Sequence, residues 1–399
     1  MAGNIYKAEV IDPGDRASRL AKEICYASHG NNAAVTVVPH QPNNFRGPVG
    51  FTWKRHILNM MLEGAMLMEV ENDGAGGKPQ FFTLAGTPEA MAQLGWEIIT
   101  MTADDFVRSG RFPGVMLNDF NVKRITDANY PLVEAVFNGY GRALSQAGLV
   151  NITGEIAVMK HSITAFCDTK SDDQLVCTWG GACIGLSHRD LLLDSSKIRP
   201  GMIVVGLWEP GYRCNGGTVL TNILLLRYGP NIKDIMNNAT AMDFVRKLTV
   251  PSRSYARSLC RILGWQPDGN VGRPLARIAG IAHITGGGVW GKFGEILPEG
   301  VGARLDSMPI PAEVLYQAQD MSWGTEYHIS DWQAYGNLHG GCGMLIVVEP
   351  DDAKRLLDEL GQDNISAYVV GITTESADRE ILISSRFREK KLLSSLLPE

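Results

Sequence analysis

The residues best able to do chemistry fall in two short stretches about two hundred positions apart. The later one reads Ala282-His283-Ile284-Thr285-Gly286-Gly287-Gly288. Consecutive glycines carry no side chain to pack and cost backbone entropy, so they suit places where the chain must approach something closely. Their amide N–H groups can then cradle an anion. His283 adds a group that titrates near neutrality, and Thr285 adds a hydroxyl. A glycine run is also the ordinary material of a turn, and a histidine beside an apolar strand is often structural. The other stretch shifts the balance toward function.

That earlier stretch is Glu71-Asn72-Asp73-Gly74-Ala75-Gly76-Gly77-Lys78, directly after Ala65 to Val70, which is predicted to be a buried strand. An acid, a glycine loop and a lysine make a phosphate and metal site in prospect. Asp73 would hold a divalent cation, the loop amides would take phosphate oxygens, and Lys78 would neutralise charge. The plain alternatives are an acid that shapes a turn and a solvated loop lysine. No Gly-x-x-x-x-Gly-Lys-Ser/Thr pattern occurs, and neither glycine segment reads as Gly-x-Gly-x-x-Gly between a strand and a helix.

Together, and in this order, the two stretches resemble the aminoimidazole ribonucleotide synthetase (phosphoribosylformylglycinamidine cyclo-ligase) family, whose hallmarks are Asp-Gly-x-Gly-x-Lys and Ala-His-Ile-Thr-Gly-Gly-Gly loops. Further segments agree. Tyr6-Lys7, Ile11 to Asp15 and Lys22 resemble the N-terminal segment. Leu117-Asn118-Asp119 resembles Val-Asn-Asp, and Thr153-Gly154-Glu155-Ile156-Ala157-Val158-Met159 resembles Gly-Gly-Glu-Thr-Ala-Glu-Met. Pro200 to Leu207, Asn215-Gly216 and Gly341 to Val348 match segments of the second half.

The resemblance implies an ATP- and Mg2+-dependent cyclo-ligase that acts on a small nucleotide substrate, formylglycinamidine ribonucleotide, in purine biosynthesis. Phosphoryl transfer to an amide oxygen would precede ring closure. It implies catalytic roles for His283, Lys22 and Asp119. ATP would be held by Asp73, Gly74, Gly76, Lys78, Asn118, Glu155, Gly286 and Gly287. Substrate would meet Asn215, Arg213 and Thr285, and Mg2+ would meet Asp73, Asp119 and Glu155. On sequence alone, Lys22 also reads as a surface lysine, Glu155 as a surface carboxylate and Asn215-Gly216 as a turn.

Three departures fall at the site itself. Gly77 stands where the family has a threonine, and Arg213 where it has a histidine before its Asn-Gly. Arg111 stands where an aspartate precedes the Asn-Asp acid, with Asp104 or Asp105 as its replacement if the chain carries an insertion. These leave open a related phosphoryl transfer within the superfamily, on a different small molecule, or a non-catalytic nucleotide-binding homologue.

What elements would position these residues? Strand-like runs at Gly114–Leu117, Leu175–Thr178, Met202–Leu207, Met344–Val348 and Glu380–Ile383 alternate with helices predicted at 15–27, 131–148 and 351–360. A Met-rich helix around Leu58–Leu62 reads as core packing. This is an α/β (α+β) pattern. The resemblance implies a two-domain fold, 1–190 and 191–399, with the boundary near Ser187 to Ile198. Its N-terminal sheet would form a barrel in a homodimer, and its C-terminal sheet would be covered by helices. A basic amphipathic tail follows the last strand.

With 399 residues and 45% apolar content, each half can bury a sizeable core. The net charge of −6 argues against nucleic-acid binding. No run of about 20 apolar residues suggests a membrane span, and the first residues lack a signal-peptide core. The seven cysteines form no Cys-x-x-Cys pair, which argues against a zinc site. The expectation is a cytoplasmic enzyme.

Overall fold

The computed structural model describes residues 12–38 and 50–397, so the resemblance at Tyr6-Lys7 and Ile11 lies outside the described residues. The first half contains α1 (Pro13–Ala27), β1 (Val35–Val38), β2 (Gly50–Trp53), α2 (Arg55–Leu62), β3 (Met66–Gly74), α3 (Pro79–Ala85), α4 (Pro88–Val107), β4 (Phe112–Val122), α5 (Tyr130–Ala147), β5 (Val150–Val158) and β6 (Cys177–His188). β3, β6, β4 and β5 form a four-stranded sheet in that order. α4 and α5 cross closely enough that a β-carbon at Gly139 would lie 1.8 Å from the Ala92 carbonyl oxygen, so only glycine fits there. Thr87 caps α4 by accepting from the Ala90 N–H, and Pro88 sits in its first turn.

The second half continues with β7 (Ile203–Trp208), α6 (Gly217–Tyr228), α7 (Ile232–Met236), α8 (Ala239–Leu248), α9 (Ala256–Leu263), β8 (Ile278–His283), β9 (Val301–Leu305), β10 (Cys342–Val348), β11 (Ala367–Glu375), β12 (Ile381–Ser384) and β13 (Leu392–Ser394). These strands make a seven-stranded sheet ordered β13-β12-β9-β11-β7-β10-β8. β10 is buried at every position, and its residues alternate between two cores. Met344, Ile346 and Val348 join the core shared with the first half, while Leu345 and Val347 face the other. A strand covered on both faces reads as an unbroken apolar run, which is how Cys342 to Val348 reads.

Most predicted elements are present, with several differences. α2, expected as core packing, buries only Ile57 and leaves Leu58 and Leu62 exposed. β3 is an edge strand whose Leu67, Met68 and Val70 are exposed, not the buried strand expected. It also runs on through Gly74, so Asp73 belongs to the strand and the turn begins at Ala75. Leu175 and Val176 precede β6, and the helix near 351–360 starts as a 3-10 turn and passes Gly361 to end at Gln362. Part of the C-terminal tail forms β13, paired with β12. The two sheets part between His188 and Ile203. Among the described residues, no helix is long and apolar enough to cross a membrane.

Candidate active site

Three glycine-bearing segments meet where the two halves join. A β-carbon at Gly76, which has φ +54, would lie 2.9 Å from the Cys214 carbonyl oxygen, and one at Gly77 would lie 3.6 Å from Gly217 Cα. One at Gly286 would lie 3.4 Å from Asn215 Oδ1. The segment 214–217 therefore bridges the loop after β3 to the loop after β8. The three consecutive glycines divide by role. Gly286 and Gly287 are exposed, whereas a β-carbon at Gly288 would sit 2.1 Å from the Tyr335 carbonyl oxygen. Gly288 answers to packing, and Gly286 and Gly287 are left at the surface of the loop.

Beneath these loops lies a buried charge network built on α4. Glu97, Asp104 and Asp105 are acids in a helix with 13 of its 20 residues buried. His283, at the end of β8, is buried; its Nδ1 lies 2.9 Å from Asp105 Oδ1 and its Nε2 lies 2.7 Å from Arg213 Nη2. A guanidinium can only donate, so Nε2 accepts and Nδ1 carries the proton to Asp105. Burial, with the Arg213 charge added, lowers the His283 pKa to about 4 against the Asp105 hydrogen bond, so the imidazole stays neutral at pH 7. Arg213 reaches Glu209 at 2.5 Å and Asp104 at 3.3 Å. Asp104 also accepts the Tyr255 and Ala256 backbone N–H groups at the start of α9, each at 2.9 Å.

Lys78 is buried as well. Its Nζ lies 2.9 Å from Glu97, and it donates to the carbonyls of Tyr212 and Val250 and to Ser252 Oγ. Glu97 also takes the Ser252 N–H at 2.9 Å and its hydroxyl at 2.6 Å. A lysine enclosed in this way ties the two halves together. The expected phosphate contact from Lys78 is not what this arrangement provides, because its ammonium donors already have partners. Arg213, expected at the substrate, is likewise enclosed by carboxylates.

Asp73 is half-buried, with Oδ1 accepting the Gly74 N–H at 2.7 Å. Burial raises its pKa, and the nearby Asp105 and Glu71 charges push the same way while Arg108 opposes them. Arg108 pairs with Asp105 at 3.1 Å. The His283 hydrogen bond and the Arg108 and Lys292 charges outweigh burial and hold Asp105 below the ordinary carboxylate range. Asp105, not Asp104, therefore stands beside Asp73 and His283. Arg111, at the family's aspartate position, instead pairs with Glu71 at 3.0 Å.

Four expected residues, Asp119, Glu155, Asn118 and Lys22, make their contacts outside this cluster. In the sheet register, Asp73 is level with Gly181, Asn118 and Gly154, while Asp119 and Glu155 are level with Gly74 and Gly180. Adjacent rows point to opposite faces, so Asp119 and Glu155 project away from Asp73 and are exposed. One chain thus does not assemble the expected three-carboxylate metal set, and among the described residues no group of three or more His, Cys, Asp or Glu side chains could hold a metal. Asn118 lies on the inner face, where its amide reaches Asn151 Oδ1 at 3.1 Å. Lys22 lies over the Tyr26 ring on α1, which packs on α5 and on β5, the sheet edge opposite β3. Thr285 is half-buried in the glycine loop beside His283.

Residues 271–383, which include β8 and its glycine loop, match the family described as AIR synthase related protein, C-terminal domain. This likeness covers less than a third of the chain. Relatives named phosphoribosylformylglycinamidine cyclo-ligase extend the similarity across most of the chain. The one from Sorangium cellulosum is 26% identical over 306 residues, 77% of this chain and 80% of that protein. The one from Geobacter metallireducens is 28% identical over 305 residues, 75% and 77% respectively. In fold, the chain matches thiamine-monophosphate kinase from Stenotrophomonas maltophilia, with TM-score 0.55, 11% identity, and coverage of 95% of this chain and 97% of that one. It also matches the hydrogenase maturation protein HypE, with TM-score 0.51, 16% identity, and coverage of 84% and 89%.

Sequence reading missed Glu97, Glu209, Arg108 and Lys292. A signal for Glu97 and the Asp104–Asp105 pair was present. Acids inside an otherwise apolar helix must find partners, because an unpaired buried charge is too costly.

Proposed function

We propose that this chain is an ATP- and Mg2+-dependent cyclo-ligase that converts formylglycinamidine ribonucleotide to aminoimidazole ribonucleotide, ADP and phosphate. One observation carries the reading. Asp73 and Asp105 stand together at the glycine loops, in a chain whose relatives bear the cyclo-ligase name. Mg2+ binds through one or two carboxylates and completes its shell with phosphate oxygens and water, so this pair fits it without a third acid. Asp73 and Asp105 would hold the ion, which neutralises phosphate charge when bound.

The other residues act around that pair. Gly286 and Gly287 would offer backbone amides to phosphate oxygens, and Arg108 and Lys292 would offset charge at the rim. His283 does not serve as the acid–base group. Its neutral Nδ1–H holds Asp105 in place, and Arg213 holds the His283 tautomer. Asn215 would orient the substrate amide from between the loops. Asp119 and Glu155 share an uncovered sheet face with the exposed apolar side chains of Met68 and Val70. A second copy covering that face would bury them, which is the homodimer expected from the family.

The test is phosphate release from Mg-ATP with and without formylglycinamidine ribonucleotide. Substrate-dependent release with formation of aminoimidazole ribonucleotide supports the proposal. ATP binding without that dependence would move the search to another phosphoryl acceptor. Arg213 at the family's histidine position favours keeping that second reading open to the assay.

A further inference from the structure

A cavity of about 1220 Å³ opens between the two halves, lined by none of the residues of the two glycine loops. Its walls carry four arginines, Arg142 on α5, Arg253 before α9, and Arg257 and Arg261 on α9, against one acid, Asp363. The local charge is thus strongly positive in a chain whose net charge is −6. Arg261 is neutralised by Glu359 at 2.6 Å and Asp363 at 2.8 Å. The other three have no carboxylate ion-pair partner among the described residues. Arg257 donates to the Gln146 carbonyl at 3.0 Å, and Arg253 donates to the Asn364 carbonyl. Carbonyl oxygens fix the direction of a guanidinium and leave its full charge in place.

We infer that this cavity is a second binding site, for a nucleoside phosphate. Arg142 and Arg253, with Arg257 whose charge is felt only in part by Asp363, suit the several oxygens of one phosphate group. Trp96 of α4 is half-buried in the same wall and offers a face on which a base can stack. The volume is ample for a nucleotide. The site also touches the charge network from behind. The Arg253 N–H donates to Glu209 at 3.0 Å, and its carbonyl accepts from Arg213 at 3.2 Å. The residue whose side chain meets the ligand therefore has its backbone in the network that holds His283. This inference stands whether or not the cyclo-ligase reading holds.

The experiment is a titration of the full chain with AMP, and separately with inorganic phosphate, in magnesium-free buffer, read by calorimetry and by Trp fluorescence. The expected result is AMP binding that is weakened at least tenfold in the Arg142→Gln/Arg257→Gln double variant and unchanged in Asp73→Asn, with inorganic phosphate binding more weakly than AMP. In the unmodified protein, AMP should slow amide exchange across 142–148 and 253–258 and leave 284–288 unchanged, a readout that needs no folded variant. No AMP binding at millimolar concentration, loss of binding in Asp73→Asn, inorganic phosphate binding as tightly as AMP, or exchange protection confined to 284–288 would each overturn the assignment.

Discussion

Two pairs of cations in this molecule face different carboxylates and do opposite work. Lys78 and Arg213 are enclosed, their side chains at most 1% exposed, and each faces acids that are themselves buried. Arg108 and Lys292 stand at the rim with side chains 37% and 24% exposed. An enclosed ion pair is retained because removing either member leaves a charge without water or partner, whereas a rim cation can exchange its partner for a ligand. The enclosed pair thus belongs to the joint between the halves, and the rim pair to whatever binds there. The sequence position of a lysine after a glycine loop does not reveal which kind it is.

Breaking the enclosed pair should give the largest effect. Glu97→Leu leaves the Lys78 ammonium buried alone and should cost about 3–5 kcal/mol of stability, read by urea unfolding. Adding Lys78→Met should restore much of that loss. An unchanged midpoint in Glu97→Leu would show that Lys78 finds water and is not enclosed. Asp73→Asn should lower turnover about 100-fold while the melting temperature stays at its original value, because the carboxylate sits at the mouth of the site.

A smaller effect sharpens the comparison through pH. His339 is buried, accepts the Gly341 N–H at Nδ1 at 3.2 Å and pairs through Nε2 with the Gly211 carbonyl at 3.2 Å, so it is neutral. Burial, helped by the Arg213 charge, lowers its pKa to about 3. A depressed pKa means that its contribution is fully present above about pH 6.5 and is lost as pH falls toward 3, at about 1.4 kcal/mol per pH unit. His339→Asn, which tolerates the positive φ of 55 there, should flatten the unfolding free energy against pH by about one proton between pH 4 and 6. An unaltered slope would mean that burial does not hold His339 neutral. Smallest of all, Arg108→Gln should slow turnover about tenfold and shift stability by less than about 0.5 kcal/mol.

Much of this was legible in the chain. Glycine runs flanked by Asp73 and His283 announce themselves, since close backbone approach is written in residue type. The apolar run at Met344–Val348, the helix that ends at Gly148 and the strand that begins near Met202 follow from local pattern and stop signals. The exposure of β3 was not legible, because an apolar strand reads the same whether its second face meets a core or stays bare.

What the sequence by itself determined was the inventory: the two loops, their acids and cations, the α/β order of elements and the likeness to the AIR synthases. The tertiary structure decided which members of that inventory meet. Strand register sent Asp119 and Glu155 to the face opposite Asp73. The packing of α4 between the halves enclosed Lys78 and Arg213 and brought Asp105, rather than Asp104 or the residue at position 111, to His283. The physical reason is that a buried charge settles only where all its partners arrive at once, and those partners come from segments that a local pattern cannot relate.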